Sequence, residues 1–275
     1  MLDRVAAGLR RPLSFFGRIG ALDRPAMRAK RPSRTGTAPR PGRRAAPARH
    51  AVSHERRNAA PEAQDLPPCR IYLVTPARFE PAAFVNQFAA ALEGGDVASL
   101  LVALDSEDET VWRRALDAIL PVAQARDVAV LLAERAELAA ASAADGVHVE
   151  GGRTALDAAL RRLKPDKIVG AGGLRTRHDA MTSAESGADY VLFGRFDAPF
   201  EPERQDELME RVAWWAELFE VPCVAAADSL RALERMARAG ADFVALRHAV
   251  WAAPEGPATA VRQANAQIRI ERTAA

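Results

Sequence analysis

The chain has 275 residues, of which 49% are hydrophobic and 27% are charged, enough for one large α/β domain or two small ones. Its only two cysteines, Cys69 and Cys223, exclude a disulfide framework and predict a reducing, cytoplasmic location. No apolar run in the sequence approaches the length of a membrane-spanning helix, so we expect no membrane span.

Charge is divided unevenly along the chain. Residues 1–69 carry 15 Arg or Lys against 5 Asp or Glu, a net of +10, whereas residues 70–275 have a net of −8. Residues 1–66 also contain seven prolines and little that could form a core, so we predict a disordered basic extension before a folded domain over residues 67–275. The alternatives to a dispensable extension are a nucleic-acid-binding arm, a membrane-surface anchor and a targeting peptide. We favour the dispensable extension and expect no nucleic-acid partner.

Beyond Cys69, short apolar strands alternate with amphipathic helices. The first strand, over residues 71–75, ends at Pro76, and the helix that follows ends at Gly94-Gly95. Each further strand precedes a helix, and these strands are predicted over residues 97–104, 128–132, 146–149, 167–171, 190–193, 222–226 and 242–246. Eight strands and eight helices, the last near residues 257–268, predict a (β/α)8 TIM barrel. A doubly wound open sheet is the alternative.

Three of the predicted helix-to-strand joints share one short sequence. Ala-Asp precedes an apolar strand at Asp145, Asp189 and Asp242. Gly187 and Gly240 come just before the last two copies, and glycine readily adopts the left-handed conformation that ends a helix. Because the strand residues show no polar alternation, we expect strands buried on both faces, as in a parallel sheet.

Chemistry in such a barrel takes place where the strands end. Gly172-Gly173 follows the fifth strand and would let backbone N–H groups approach an anion, although a plain turn is the alternative. Glu134 and Glu150 are candidate ligands for a divalent cation, and Glu134 with Arg135 would otherwise form a surface pair. His148 alternates with two valines and is predicted to point into the barrel, as a catalytic residue or as a satisfied core histidine.

Several of these stretches together resemble the thiamine phosphate synthase / TenI family of small (β/α)8 barrels, over residues 70–252. Ile71–Thr75 resembles the family's opening strand, Leu-Tyr-Leu-Val-Thr-Asp. Ala144–His148 matches its Ala-Asp-Gly-Val-His strand, and Gly187–Gly194 is similar to its Gly-Ala-Asp-Tyr-Val-x-x-Gly strand.

The resemblance implies a transferase of thiamine biosynthesis. Synthase members join a pyrimidine methyl diphosphate to a thiazole phosphate with loss of diphosphate, which Mg²⁺ and cationic side chains stabilise. TenI-type relatives instead aromatise the thiazole phosphate tautomer by a proton shift. The partner implied is therefore a small phosphorylated thiazole or pyrimidine ligand, and a homo-oligomer is compatible with the sequence. The residues implied are Glu134, Arg135 and His148 for catalysis, Glu134 for Mg²⁺, and Gly172, Gly173, Gly194, Arg195, Arg247 and His248 for phosphate.

The chain departs from the synthase pattern at several polar positions. The family's Gln-x-Arg-x-Lys falls on Leu101, Ala103 and Asp105, so two cations are absent, and Arg153 stands where a second acidic ligand is expected. We therefore expect weak Mg²⁺ binding. We also keep open a catalytically impaired barrel, a pseudoenzyme that acts as a phosphate-ligand sensor or binds a partner, as the alternative to a divergent synthase.

Overall fold

The structure, a computed structural model, describes residues 69–196 and 202–274. The predicted extension over residues 1–66 lies outside the described residues, so the extension and its boundary with the folded domain stay predictions. No helix among the described residues is both long enough and apolar enough to cross a membrane.

Strands and helices alternate throughout the described residues. The strands are β1 Arg70–Val74, β2 Ser99–Val102, β3 Ala129–Ala133, β4 Gly146–Val149, β5 Ile168–Ala171, β6 Tyr190–Phe193, β7 Cys223–Ala227 and β8 Phe243–Leu246. The helices are α1 Pro81–Glu93, α2 Glu109–Ala125, α3 Ala136–Ala141, α4 Gly152–Leu163, α5 Arg177–Glu185, α6 Pro202–Leu218, α7 Leu230–Arg238, α8 His248–Trp251 and α9 Pro257–Ala274.

All eight strands are parallel and form a closed barrel. Each strand pairs with the next along the chain, and β1 also pairs with β8, where Tyr72 lies opposite Ala245. The predicted (β/α)8 barrel is therefore confirmed, and the open doubly wound alternative is wrong. Closure leaves no unpaired edge on which another strand could add.

One detail of the elements differs from the sequence-based expectation. The short helix α8 follows β8 directly and was not predicted; the indole N–H of Trp251, its last residue, donates to the carbonyl of Val74 at 2.6 Å. This bond ties the end of β8 to the end of β1 and is a tertiary contact that no local pattern encodes.

Side chains alternate between two apolar layers. Tyr72, Leu101, Tyr190 and Phe243 belong to a cluster inside the barrel, with the other inward-facing strand residues. The intervening strand residues pack against the helices in a second, larger cluster. This alternation fixes which residues at the strand ends face the barrel axis.

The repeated Ala-Asp joints have a common structural role. The carboxylate of Asp145 accepts the backbone N–H of Val130 on the preceding strand at 2.7 Å, and the N–H of Asp145 donates to the carbonyl of Val130. The same paired bonds join Asp189 to Val169 and Asp242 to Cys223; the two carboxylate bonds are 2.7 and 2.8 Å long. Each aspartate therefore completes the hydrogen bonding of a neighbouring strand at the amino-terminal end of the barrel strands.

Candidate functional site

The centre of the candidate site is His148, which lies inside the barrel near the carboxyl ends of the strands. This end of the barrel is called the mouth below. Its flanking residues Val147 and Val149 belong to the outer layer, so the histidine faces inward as predicted. The side chain is 1% exposed. Its Nδ1 lies 3.0 Å from the hydroxyl of Tyr190, which lies 3.0 Å from the hydroxyl of Tyr72.

The other ring nitrogen of His148 faces the mouth. Within the described residues Nε2 is buried and has no hydrogen-bond partner. The nearest charged group is the carboxylate of Glu150, with Oε1 3.6 Å from Nε2. A buried donor or acceptor without a partner costs free energy, so this atom is suited to a polar group of a ligand.

Two glycines leave the room that this arrangement needs. A Cβ on Gly170 would lie 2.0 Å from the ring of Tyr190, and one on Gly172 would lie 2.4 Å from Nε2 of His148. Gly172 is therefore required by close packing, and its N–H already donates to the carbonyl of Val149 at 2.8 Å. Gly173 has φ of +64°, a left-handed conformation that favours glycine.

Gly172 and Gly173 also line a recess of about 350 Å³ on the outer side of the mouth. Three basic side chains, Arg153, Arg175 and His178, lie in its wall. Two aliphatic side chains of the outer layer, Val149 and Leu156, also line it. The predicted phosphate-binding glycines thus lie beside two arginines, which suit an anion, and beside the carboxylate of Asp179.

Glu134 follows β3 and adopts a left-handed backbone with φ of +59°. Its N–H donates to the carbonyl of His148 at 2.9 Å, and its carboxylate accepts the N–H of Glu150. The side chain therefore holds the turn after β4 in place. Within the described residues, no group of three or more His, Cys, Asp or Glu side chains is placed to hold a metal ion.

Arg135 does not point towards His148. Its guanidinium donates to the carbonyl of Ser106 at 2.8 Å and to the carboxylate of Glu107 at 2.7 Å, and it lies 5.3 Å from the ring centre of Trp112. These contacts direct the side chain to the loop between β2 and α2. The predicted catalytic role of Arg135 stays a prediction, and these contacts do not bring it to the histidine.

The remaining predicted phosphate-binding residues lie at the ends of β6 and β8. Gly194 has φ of +95°, and an added Cβ would lie 2.9 Å from Ala226. Arg195 comes next and is exposed. Arg247 is half-buried at the start of α8, while His248, the first residue of that helix, is exposed.

The positions that would carry the family's cations are apolar or already paired. Leu101 is buried in the interior cluster, and Ala103 packs against it. Asp105 forms a salt bridge of 2.6 Å with Arg78, in which both side chains are largely exposed. The residues at the end of β2 therefore offer no cationic side chain to a ligand at the mouth.

Sequence reasoning missed the two tyrosines. Tyr72 and Tyr190 are the only tyrosines of the chain, and both are fully buried in the barrel interior. The signal that would have found them was their position: each is the one residue with a hydroxyl in a buried, mostly apolar strand, at an inward-facing place. A buried tyrosine hydroxyl needs a partner.

Comparison with known proteins gives one consistent family. A family model described as thiamine monophosphate synthase matches residues 71–250. A thiamine-phosphate synthase of Rhodospirillum centenum is 44% identical over 205 residues, which cover 73% of this chain and 98% of that protein. A thiamine-phosphate synthase of Hyphomonas neptunium is 36% identical over 211 residues, covering 74% and 96%.

Solved structures agree on the fold. The thiamine phosphate pyrophosphorylase of Pyrococcus furiosus superposes with a TM-score of 0.63 at 21% identity and covers 74% of this chain and 96% of its own. A 3-hexulose-6-phosphate synthase superposes with a TM-score of 0.57 at 18% identity, covering 72% of this chain and 99% of its own. At these identities the superpositions show the barrel alone.

Proposed function

Because this chain belongs to the thiamine monophosphate synthase family, we propose that it acts in thiamine biosynthesis and couples a thiazole phosphate to a pyrimidine methyl diphosphate. The observation that carries the proposal is the 44% identity to a thiamine-phosphate synthase across 98% of that relative's length. The family match over residues 71–250 includes the carboxyl ends of all eight strands, from which the site is built. It is therefore not limited to the core of the barrel.

The proposed reaction is a substitution at the methylene carbon of the pyrimidine. The thiazole nitrogen supplies the electron pair for the new carbon–nitrogen bond, and the carbon–oxygen bond breaks with its electron pair leaving on diphosphate. Catalysis then consists mainly of stabilising the departing negative charge and of positioning the two reactants. This chain needs cationic groups at the mouth and a shaped, largely dry cavity.

We propose that the phosphate groups lie between the glycine turn after β5 and the basic residues at the ends of β6 and β8. Gly172 and Gly173 provide the close approach, Arg195 and Arg247 provide positive charge, and His248 provides a polar side chain beside them. Arginine suits this purpose because its planar fork matches phosphate oxygens in pairs. These cations would substitute for the two that β2 lacks.

We propose that His148 contributes a polar contact to a ligand at the mouth through Nε2. Its burial and the absence of a hydrogen-bond partner for Nε2 within the described residues support this role. Glu134 and Arg135 are retained as proposed residues of the site. Glu134 would act close to His148, because the two are joined by a backbone hydrogen bond.

The described residues fit Mg²⁺ only when a ligand supplies further oxygens. Magnesium is commonly held by one or two carboxylates together with substrate phosphates, so Glu134 would hold it beside a bound diphosphate. When bound, the ion would neutralise charge on the leaving diphosphate. The free carboxylate oxygens of the described mouth are too few to form a complete site without the ligand.

Complementation of a thiamine auxotroph that lacks its synthase tests the proposal, together with an assay of diphosphate release from the purified full chain. Growth and release that both require the thiazole phosphate are expected. A His148→Ala variant, made in parallel, should lose most of the activity while remaining folded. A folded, ligand-binding chain that neither complements nor releases diphosphate would overturn the synthase proposal and favour the sensor alternative, which no present observation favours.

A further inference from the structure

Two buried hydrogen bonds link Tyr72 to Tyr190 and Tyr190 to His148, and the donor of each can be assigned. Each tyrosine hydroxyl carries one hydrogen to donate and can also accept. The hydroxyl of Tyr72 has one hydrogen-bond partner within the described residues, the hydroxyl of Tyr190. Donation from Tyr72 to Tyr190 is therefore the arrangement that satisfies the hydrogen of Tyr72, which is fully buried.

The donor assignment for the tyrosine pair decides whether Tyr190 donates to His148 or accepts from it. When Tyr190 accepts from Tyr72, its own hydrogen is available for Nδ1 of His148, 3.0 Å away. Nδ1 is then an acceptor and carries no proton, so the proton of a neutral imidazole lies on Nε2. Burial raises the pKa values of both tyrosine hydroxyls well above their ordinary value, so both remain donors at neutral pH.

The surroundings of the other nitrogen favour the same tautomer independently. The carboxylate of Glu150 lies 3.6 Å from Nε2. An N–H that faces a carboxylate is attracted to it, whereas a lone pair in the same place would be repelled. The ring of His148 is also stacked on that of Tyr190, with centroids 5.6 Å apart and planes 6° apart, which holds its orientation.

We propose that Tyr190, itself held by the hydrogen bond from Tyr72, is a positioning residue that holds His148 with its proton on Nε2 and aims that N–H at the mouth. The ligand atom that meets His148 is then a hydrogen-bond acceptor, such as a ring nitrogen or a phosphate oxygen. Gly172 keeps the approach to Nε2 open, because any larger residue would place its Cβ 2.4 Å from this atom. A catalytic role for this arrangement rests on the proposed function. The tautomer of His148 does not depend on that function.

Nitrogen NMR of the full chain labelled with ¹⁵N-histidine tests the proposal without any ligand. Two-bond proton–nitrogen couplings reveal which ring nitrogen carries the proton, and a His148→Gln variant identifies the signals of His148 among those of the five histidines. We expect the proton on Nε2. We also expect the Nδ1 resonance to lie away from the position of a bare nitrogen that accepts no hydrogen bond.

Two matched variants separate positioning from packing, since each removes one buried hydroxyl from the same cluster. Tyr190→Phe should move the Nδ1 resonance to that of an unbonded nitrogen, whereas Tyr72→Phe should leave most of the hydrogen-bond shift in place. A proton found on Nδ1 in the unmodified chain, or an Nδ1 resonance unmoved in folded Tyr190→Phe, would overturn the proposal. If Tyr190→Phe fails to fold, the spectrum of the unmodified chain still decides the tautomer. Absence of synthase activity would affect neither measurement, so the two proposals fail separately.

Discussion

At the scale of single residues, the site combines one buried histidine with positive charge at the strand ends. His148 is held from below by the tyrosine chain and is open above, where Gly172 has no side chain. The two cations of the family's pattern are missing just after β2, because Ala103 and Asp105 occupy their positions. We therefore expect binding of a phosphorylated ligand to depend on arginines that follow other strands.

Arg247→Ala tests that dependence. Position 247 follows β8 and is half-buried at the mouth, so we expect the change to weaken thiazole phosphate binding by about 1.5–3 kcal/mol, the usual worth of a charge-assisted contact. The melting temperature should change little. Titration calorimetry measures the affinity, and Arg113→Ala, which removes an exposed arginine of α2 paired with Glu109, is the matched control. Equal affinity in folded Arg247→Ala would remove this residue from the site.

Gly172→Ala tests the space above His148. The added methyl would lie 2.4 Å from Nε2 and 2.8 Å from Cε1 of a ring that Tyr190 holds in place, so we expect a loss of about 1–3 kcal/mol in the free energy of unfolding. Urea denaturation measures it. In a His148→Ala background the methyl has room and the loss should nearly disappear, which a double-mutant cycle would reveal. The same loss in both backgrounds would place the clash elsewhere.

Magnesium titration tests the mouth as a cation site. Without ligand we expect no better than millimolar affinity, because Glu134 already accepts a backbone N–H and the described residues contain no larger cluster of metal-binding side chains. Addition of diphosphate should tighten binding, since its oxygens complete the coordination, and Glu134→Gln should remove that gain. Micromolar affinity for the ion alone would show that residues 150–153 supply a second acidic ligand, contrary to the alignment that places Arg153 there.

At the scale of elements, the repeated aspartates connect neighbouring strands. Asp145, Asp189 and Asp242 each pair with both the N–H and the carbonyl of one residue on the adjacent strand. The three joints lie at the end of the barrel opposite the mouth, so they affect stability and not ligand contact. This explains why a sequence repeat can be pronounced without marking the site.

Asp242→Ala should destabilise the barrel by about 1–3 kcal/mol, because the N–H of buried Cys223 would lose its carboxylate partner. Asp242→Asn keeps an acceptor oxygen and should lose less. Asp117→Ala, an exposed position on α2, should change the free energy of unfolding by no more than about 0.5 kcal/mol and serves as the control. Chemical denaturation distinguishes these outcomes, and equal losses for Ala and Asn would argue against the hydrogen bond as the cause.

At the scale of the whole molecule, the closed sheet supplies the rigidity on which the site depends. Every strand has two parallel neighbours, and the interior is filled by side chains, so the inside of the barrel is a packed core. The residues before Pro67 add positive charge to the chain, and from their composition we expect that burial of apolar surface would not offset the entropy of ordering them.

A chain shortened to begin at Pro67 should therefore melt within a few degrees of the full chain, as measured by calorimetry, and should keep its ligand affinity. A markedly lower melting temperature would mean that the basic extension packs on the barrel. Nucleic-acid binding by the full chain that weakens steeply with salt and disappears in the shortened chain would instead assign the extension an electrostatic role.

The sequence by itself determined the barrel, its family and the inward direction of His148. Strand alternation and the repeated joints are patterns of neighbouring residues, so they can be read directly from the order of residues along the chain. The short helix α8 was decided by tertiary packing, which supplies the hydrogen bond between Trp251 and Val74. The tyrosine chain beneath His148 also needed the tertiary structure, since Tyr72 and Tyr190 are 118 positions apart and meet only because the barrel closes. Hydrogen bonds between distant strands depend on register and closure, and neither is expressed in the neighbourhood of a single residue.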